Sequence, residues 1–201
     1  MATIQDIIDN VEAETNRVDK TAMITRAVKA VILKAHALDY FPQDRVSAVI
    51  TPTTPGLIVT EALPTRWRKF DIIAPLSSAS VSLKKKFIRR DPDDMMYFDG
   101  ERISDHFHVV GSNIIMESES SIVKVGWTYY TYPDVTTLSA STWMTARYEQ
   151  ELTDGAMAYV YKKLGDEKTA RDYRDLWLGN ARIGLDGHVL RMVGDNLIED
   201  I

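Results

Sequence analysis

The sequence contains no cysteine. This absence excludes disulfide bonds, thiolate zinc sites, cysteine-ligated iron–sulfur clusters and cysteine nucleophiles. The sequence also lacks a run of about 18 apolar residues, so it predicts no membrane-spanning helix. A secretory signal peptide needs basic residues before an apolar stretch, whereas this chain begins MATIQDIIDNVEAE. We therefore expect a soluble chain without a targeting segment.

Basic residues are fewer than acidic ones. The chain has 24 Lys and Arg against 29 Asp and Glu, which gives a formal net charge of -5 at pH 7. Phosphate backbones repel a protein with this balance, so any contact with nucleic acid must be local. The 201 residues, 45% of them hydrophobic, are enough for one packed domain or two small ones.

Two helices are predicted at the start of the chain. Thr3 can cap the first helix because Asp6 follows three residues later. The second helix should end near Tyr40 and Phe41, because Pro42 disfavours helical geometry in the residue before it. Helical spacing of apolar residues defines both helices, at Ile4, Ile7, Ile8 and Val11, and at Met23, Ile24, Ala27, Val28, Val31, Ile32 and Ala35.

The apolar period changes from about 3.6 to about 2 between residues 45 and 133, which predicts strands. Gly111, Ser112 and Asn113 lie between two apolar runs and indicate a hairpin. Strands of this length and spacing favour an antiparallel sheet or a small sandwich. The predicted strands or strand pairs are VSAVIT, GLIVT, KFDIIAP, SVSLKKKFI, MMYFDG, HFHVVGSNIIMES and SIVKVGWTYY.

Helical character returns at Trp143 and continues to Leu164. Gly165 is typical of a helix end, and Asp166 can cap a following helix, so the two helices should form an antiparallel hairpin. Tyr161 falls off the apolar stripe. The predicted buried stripes are Leu152, Ala156, Tyr159, Val160 and Leu164 on the first arm, and Ala170, Tyr173, Leu176 and Trp177 on the second.

The predicted fold class is α+β, with a four-helix bundle-like lobe, an inserted antiparallel β lobe and an extended C-terminal tail. The helical lobe comprises residues 1–44 and 134–179, the β lobe residues 45–133, and the tail residues 180–201. Apolar side chains in the tail are numerous enough to dock on a partner. These residues are Leu185, Val189, Leu190, Met192, Val193, Leu197, Ile198 and Ile201.

Histidines and clustered acids are the candidates for metal binding and acid–base catalysis. His106 and His108 alternate on one strand face, a spacing that can ligate a metal, but Asp105 would point the opposite way. We favour the interpretation that both are half-exposed strand residues. The acids in DPDD (91–94) and MESES (116–120) can serve acid–base catalysis, although loop acids more often form turns.

Two dense basic patches occur, in RWRK (66–69) and SLKKKFIRR (82–90). With Trp67 and Phe87 they can contact a phosphate backbone through charge and stacking. The competing interpretation is an edge strand whose lysines prevent wrong pairing. The candidate nucleic-acid contacts are Lys84, Lys85, Lys86, Arg89 and Arg90.

Three parts of the chain together resemble the head-to-tail adaptor proteins of tailed bacteriophages, also called connector or head-completion proteins. They are ETNRVDKTAMITRAVKAVILKAHALDYFPQD, then RWRKFDIIAPL with ISDHFHVVGSNIIM, and finally WMTARYEQELTDGAMAYVYKKLGDEKTARDYRDLW. The resemblance covers about residues 12–178 in order. Its most telling part is the late helix with DGAMAYVYKKLGDEKTARDY.

The resemblance implies a helical bundle carrying a β lobe, and twelve copies assembled as a ring beneath the portal. It implies portal protein and a tail or nozzle protein as partners, a place in the virion after assembly in the host cytoplasm, and no enzymatic activity or cofactor. DNA would pass through the lumen without specific binding, which an acidic lumen favours.

Two other functions compete with the adaptor. One is a DNA-contacting packaging or regulatory protein that uses the basic strand 82–90. The other is a small hydrolase that uses Asp93, Asp94 or His106.

Overall fold

The computed structural model describes residues 1–76, 86–90 and 105–184, with side chains described as far as Trp177. Three sequence predictions fall outside these residues in whole or in part. They are the strand MMYFDG, most of the strand SVSLKKKFI, and the tail beyond Gly184.

The predicted α+β class is confirmed, because the described residues form five helices and two sheets. The helices are α1 (Ile4–Thr15), α2 (Thr21–Ala37), α3 (Trp143–Arg147), α4 (Glu149–Leu164) and α5 (Glu167–Gly184). The strands are β1 (Arg45–Ile50), β2 (Gly56–Ala62), β3 (Trp67–Pro75), β4 (Ile88–Arg89), β5 (His106–Val110), β6 (Asn113–Ile122) and β7 (Val125–Thr131). Short 3-10 turns occupy Val18–Lys20 and Pro42–Asp44.

The chain divides into two compact units. The helical unit combines Met1–Gln43 with the residues from Tyr132 onward, and the β unit spans Asp44–Thr131. Each unit has its own apolar core. Both ends of the chain therefore contribute to one unit, and the other unit is inserted between them.

Helix α1 begins at the predicted capping box. The hydroxyl of Thr3 accepts a hydrogen bond from the backbone N–H of Asp6 at 3.2 Å, and the Asp6 carboxylate accepts one from the backbone N–H of Thr3 at 2.7 Å. These bonds satisfy amides that the first helical turn leaves unpaired. The hydrogen bonds that Thr3 donates to the Asp6 carboxylate, from its backbone N–H and then from its hydroxyl, lower the pKa of Asp6. The four apolar residues predicted for this helix are all buried.

The core of the helical unit is formed by α1, α2, α3, α4 and α5 together. Helix α2 ends at Ala37, somewhat before the predicted end, and its residue Met23 is only partly buried. The buried apolar residues are Ile4, Ile7, Ile8, Val11, Ile24, Ala27, Val28, Val31, Ile32, Ala35, Met144, Leu152, Ala156, Met157, Val160 and Trp177.

The prediction of continuous helix from Trp143 to Leu164 is wrong, because the helix is interrupted at Tyr148. The backbone of Tyr148 adopts φ -128° and ψ 40°, and it ends α3 where α4 begins. The ring of Tyr148 meets the ring of Trp143 edge to face, with centroids 6.2 Å apart. The sequence around the interruption contains neither glycine nor proline, the usual helix breakers. Instead, Tyr148 packs on Trp143 where the helix is interrupted.

The hairpin of α4 and α5 forms as predicted. Gly165 takes the left-handed conformation at φ 82° and ends α4, and the Asp166 carboxylate accepts a hydrogen bond from the backbone N–H of Thr169 at 3.1 Å. The prediction that Leu176 belongs to the buried stripe is wrong, because its side chain is 50% exposed. The prediction that Trp177, the next residue, is buried is confirmed.

Two sheets make up the β unit. Their strand orders are β1-β7-β3 and β2-β6-β5-β4 among the described strands. Every pairing is antiparallel except that of β4 with β5, which is parallel, so the prediction of a purely antiparallel lobe is wrong there. The backbone N–H of Phe87 donates to the carbonyl of Ile73 in β3 at 2.8 Å, which bonds the segment before β4 to the other sheet.

Inward-facing residues of both sheets form one core. Met116 and Phe107 are cross-strand partners in one sheet, and Trp127 and Ile73 are partners in the other. Aromatic rings cluster around Phe70, whose centroid is 5.5 Å from that of Trp127 and 5.9 Å from that of Phe107. The buried members are Val59, Phe70, Ile73, Phe87, Phe107, Ile114, Met116, Ile122, Val125 and Trp127.

Candidate functional site

A cleft of about 210 Å³ opens in the helical unit between α2, α4 and α5; we call it the helical cleft. Its floor is apolar and its rim is charged. The floor residues are Val31, Gly155, Ala158, Tyr159, Ala170 and Trp177, and the rim residues are Lys34, Lys162, Glu167, Arg171 and Arg174.

Gly155 determines the depth of the helical cleft. A Cβ atom at this position would lie 3.0 Å from Cγ1 of Val31 and 3.1 Å from the ring of Trp177. Such distances are shorter than ordinary van der Waals contact, so a side chain at position 155 would require Val31 and Trp177 to move by a few tenths of an ångström. Trp177 is 7% exposed and lies against the bare backbone of α4.

The rim of the helical cleft is basic although the whole chain is acidic. Four of its five charged residues are Lys or Arg. The one acid, Glu167, lies 3.6 Å from Arg171, and both side chains are more than 70% exposed. An exposed pair of this kind contributes little energy. The site therefore combines an apolar floor with a rim on which basic residues outnumber acidic ones.

The aromatic residues beside the helical cleft serve packing. The rings of Tyr161 and Tyr173 stack with centroids 5.7 Å apart and an interplanar angle of 7°. The hydroxyl of Tyr173 donates to the Glu14 carboxylate at 3.3 Å. Burial, followed by the charge of Glu14, raises the pKa of Tyr173. Tyr161, which lies off the predicted stripe, thus packs on the neighbouring helix.

The prediction that His106 and His108 are half-exposed is wrong. Their side chains are 2% and 9% exposed, and their rings stack with centroids 6.3 Å apart. Phe107 between them points into the core, so both imidazoles share the opposite face of β5. The Nε2 atom of His106 lies 3.7 Å from the carboxylate of Glu117, its cross-strand partner.

The acids of MESES also differ from their prediction as loop acids. They lie within β6, where Met116 fills an inward position and Glu117 an outward one. The Asp105 carboxylate accepts a hydrogen bond from the Ser118 hydroxyl at 2.5 Å. Within the described residues, no three His, Asp or Glu side chains come together as metal ligands. The acids of DPDD lie outside those residues.

The basic patches are only partly surface features. Lys86 and Arg89 are exposed, Arg90 is partly buried, and Lys84 and Lys85 lie outside the described residues. Phe87 is 5% exposed within the core of the β unit and cannot stack on a base. The prediction that Phe87 contributes to a nucleic-acid stacking surface is therefore wrong.

The second basic patch is also less accessible than predicted. The side chain of Arg68 is 6% exposed and lies 3.7 Å from the Asp44 carboxylate. Trp67 packs on Phe70 with centroids 5.4 Å apart. Trp67 and Arg68 therefore belong to the packing of the β unit, whereas Arg66 and Lys69 are exposed.

The helical cleft is the site that the sequence analysis missed. Gly155 in the middle of a helical pattern is the signal that could have revealed it, because a glycine there costs helix stability unless a close contact requires it. The apolar tail residues from Leu185 to Ile201, predicted to dock on a partner, lie outside the described part of the chain.

None of the described helices is long and apolar enough to cross a membrane. No protein-family model matches this chain, and no curated protein sequence matches it either.

Proposed function

We propose that this chain is a structural subunit of an adaptor ring between the capsid portal and the tail of a tailed bacteriophage. In this proposal about twelve copies assemble, α1, α2, α4 and α5 serve as the four-helix bundle of each copy, and the C-terminal tail docks on a partner. The partners are portal protein and a tail or nozzle protein, and the complex belongs to the virion after assembly in the host cytoplasm. DNA passes through the ring without specific binding.

Exposed apolar residues on two edge strands carry this proposal. Among the described strands, β1 and β2 each pair on one side only. Their exposed apolar residues are Val46, Val49, Leu57 and Ile58, of which Val49 is 62% and Ile58 is 55% exposed. An edge strand with apolar residues and without lysine or proline is a ready pairing surface. Contact with neighbouring copies would cover it.

The inserted arrangement of the chain gives further support. Helices from both parts of the helical unit share one core, and the sequence between them forms the β unit. A ring subunit must present different surfaces to its two neighbours, and two separate cores provide these surfaces. This organisation agrees with what the adaptor resemblance implies for residues 12–178.

The DNA-contacting alternative has less support. Its aromatic partner Phe87 is buried, and Arg68 is closed to solvent. Stacking platforms for nucleic acid need accessible aromatic faces beside the basic groups.

The edge strands provide a direct experiment. We expect Val49→Lys and Ile58→Lys together to reduce co-sedimentation of the chain with portal rings by at least about tenfold, because lysine charges block edge pairing. Val18→Lys is the matched control, since Val18 is 76% exposed in the helical unit. It should leave co-sedimentation unchanged, and circular dichroism should show all three proteins folded. Equal binding by the edge variant, or no binding by the unchanged chain, would refute the proposal.

A further inference from the structure

We propose that β1 of one copy of this chain pairs antiparallel with β2 of a neighbouring copy, with Val49 opposite Ile58. The inference rests on the proposed function in one respect, namely that copies of the chain assemble. It adds which edges of two copies meet and in what register.

Strands β1 and β2 are two halves of one long edge of the β unit. Arg45 at the start of β1 pairs with Tyr130 of β7. Ala62 at the end of β2 pairs with Asn113 of β6, and the spacing between these two pairs is the same along both segments. The connector 51–55 separates the halves. β1 and β2 therefore lie end to end, and the free edge of one cannot pair with the free edge of the other in the same copy.

Both free edges are suited to pairing. Among the described strands, β1 has a partner only on its β7 side and β2 only on its β6 side. β1 has six residues and β2 seven, and neither contains lysine or proline, the residues that commonly block edge pairing. Pro52 and Pro55 lie in the connector between them. The two edges therefore offer pairing surfaces of nearly equal length.

The buried faces of the two strands determine the register. Val59 is buried in the core of the β unit, so its neighbour Ile58 faces outward. Ala48 packs against the same core, so Val49 also faces outward. Paired residues lie on the same face of a sheet, so Val49 opposite Ile58 joins the outer faces of two copies. A shift by one residue would join an outer face to an inner one.

Antiparallel pairing in this register uses all six residues of β1. Ser47 then lies opposite Thr60, and hydroxyl pairs of this kind stabilise neighbouring strands. The Ser47 hydroxyl lies 3.1 Å from that of Thr128, so Thr60 of the next copy would extend this row. Parallel pairing would instead place Val46 opposite Pro55, which has no N–H to donate. The antiparallel direction is therefore favoured.

A second copy is the partner that uses both edges. When β1 of one copy pairs with β2 of another, one β1 and one β2 stay free at the ends of the pair. These edges can take up further copies in the same way until a ring closes. A partner that covered one edge alone would leave the exposed apolar residues of the other edge in water.

The absence of cysteine allows a disulfide test in the full chain. Val49→Cys protein is mixed with Ile58→Cys protein under mild oxidation, with and without portal rings, and linked dimers are measured on non-reducing gels. Opposite residues of an antiparallel pair have Cα atoms about 4.5–5.5 Å apart, which a disulfide can span. We expect the mixture to give at least about tenfold more linked dimer than either variant alone.

Ser47→Cys with Ile58→Cys is the matched control. Ser47 shares the outer face of Val49 but would lie diagonal to Ile58, with Cα atoms about 7–8 Å apart, beyond the reach of a disulfide. This mixture should give little linked dimer. Equal linkage in both mixtures, or no linkage in either, would overturn the inference. Linkage by Val49→Cys alone would show that β1 pairs with β1, which also overturns it.

Hydrogen exchange tests the pairing in the unchanged protein. The amides of β1 and β2 that point away from β7 and β6 become hydrogen-bonded when copies pair, so their exchange should slow at least about tenfold in concentrated samples relative to dilute ones. The amides of Val18–Lys20, in the helical unit, are the control and should not change. Association of copies with unchanged exchange in either strand would contradict the pairing.

These outcomes separate the inference from the proposed function. Copies that co-sediment with portal rings without the disulfide between the two variants would leave the adaptor proposal standing and remove the pairing. Disulfide-linked copies that ignore portal rings would support the pairing and remove the adaptor proposal.

Discussion

At the scale of single residues, Gly155 controls how the helices of the helical unit meet. It lies in the middle of α4, where alanine would favour the helix by roughly 1 kcal/mol. The contacts of the missing Cβ, 3.0 Å to Val31 and 3.1 Å to Trp177, explain why the helix carries glycine. Packing between helices therefore outweighs local helix preference at this position.

Gly155→Ala should accordingly destabilise the protein. Overpacking costs about 1–3 kcal/mol, which exceeds the gain in helix preference, so we expect a lower free energy of unfolding in urea. Adding Trp177→Leu should reduce the penalty of the alanine, because the smaller side chain makes room for the methyl group. Gly165→Ala is the control. Gly165 has φ 82° and open space around it, so Trp177→Leu should not reduce its penalty. A neutral or stabilising Gly155→Ala would show that the contacts are looser than described.

Tyr173 gives a prediction for alkaline pH. Burial and the neighbouring Glu14 carboxylate raise its pKa above the ordinary value of 10.0. The folded state thus holds the phenol proton more tightly than the unfolded state, and the resulting stability is present below pH 10 and lost as pH rises through the pKa of folded Tyr173. Ring NMR signals should place the titration of Tyr173 above pH 10. Glu14→Gln should move it to lower pH while keeping an acceptor for the hydroxyl.

A titration of Tyr173 at or below pH 10 would contradict this account. Tyr173→Phe should remove this residue's part of the alkaline decline in stability. The comparison separates Tyr173 from the other tyrosines of the chain.

At the scale of elements, the turn between α4 and α5 depends on Asp166. The Thr169 hydroxyl donates to the Asp166 carboxylate at 2.7 Å, and the backbone N–H of Thr169 donates at 3.1 Å. These bonds lower the pKa of Asp166 below its ordinary value of 3.8, the hydroxyl being the larger cause. The stabilisation is therefore present above about pH 4 and is lost as pH falls through the lowered pKa.

Asp166→Ala should lower the melting temperature at pH 7, because α5 then begins without its cap. The difference from the unchanged chain should shrink in melts at pH values below 4. Asp172→Ala is a matched control, since it removes the same charge from an exposed position on the same helix. It should change the melting temperature much less. Equal effects of the two variants at pH 7 would argue against the cap.

Helix ends were predictable because short-range chemistry determines them. Thr3 with Asp6, and Gly165 with Asp166, are local signals that the structure confirms. The break at Tyr148 has no such signal, because it accompanies packing against Trp143. Helical period places both Leu176 and Trp177 in the buried stripe, but only Trp177 is buried, against Gly155.

The β unit shows the same limit of prediction. Alternation predicted that His106 and His108 share one face of a strand, and the structure confirms this. The prediction that this face is half-exposed is wrong, because both histidines are buried. The parallel pairing of β4 with β5 is a contact across the fold that no local pattern encodes. The helical cleft escaped prediction for a similar reason, because its walls come from three helices.

At the scale of the whole molecule, the described residues leave two kinds of apolar surface exposed. The edge strands β1 and β2 carry exposed apolar residues, and the helical cleft joins an apolar floor to a basic rim. A large exposed apolar surface on a protein usually marks an interaction site. The net charge of -5 makes nucleic acid an unfavourable general partner for these surfaces. Other protein chains are the better match.

The most direct test of the adaptor proposal is the mass of the particles that the purified chain forms with portal protein. Mass photometry of the 22.8 kDa chain, alone and with portal rings, counts copies without labels. We predict a closed assembly of about twelve copies on the portal, as symmetric ring subunits form. A chain that remains a monomer at every concentration, and in the presence of portal rings, would contradict the account.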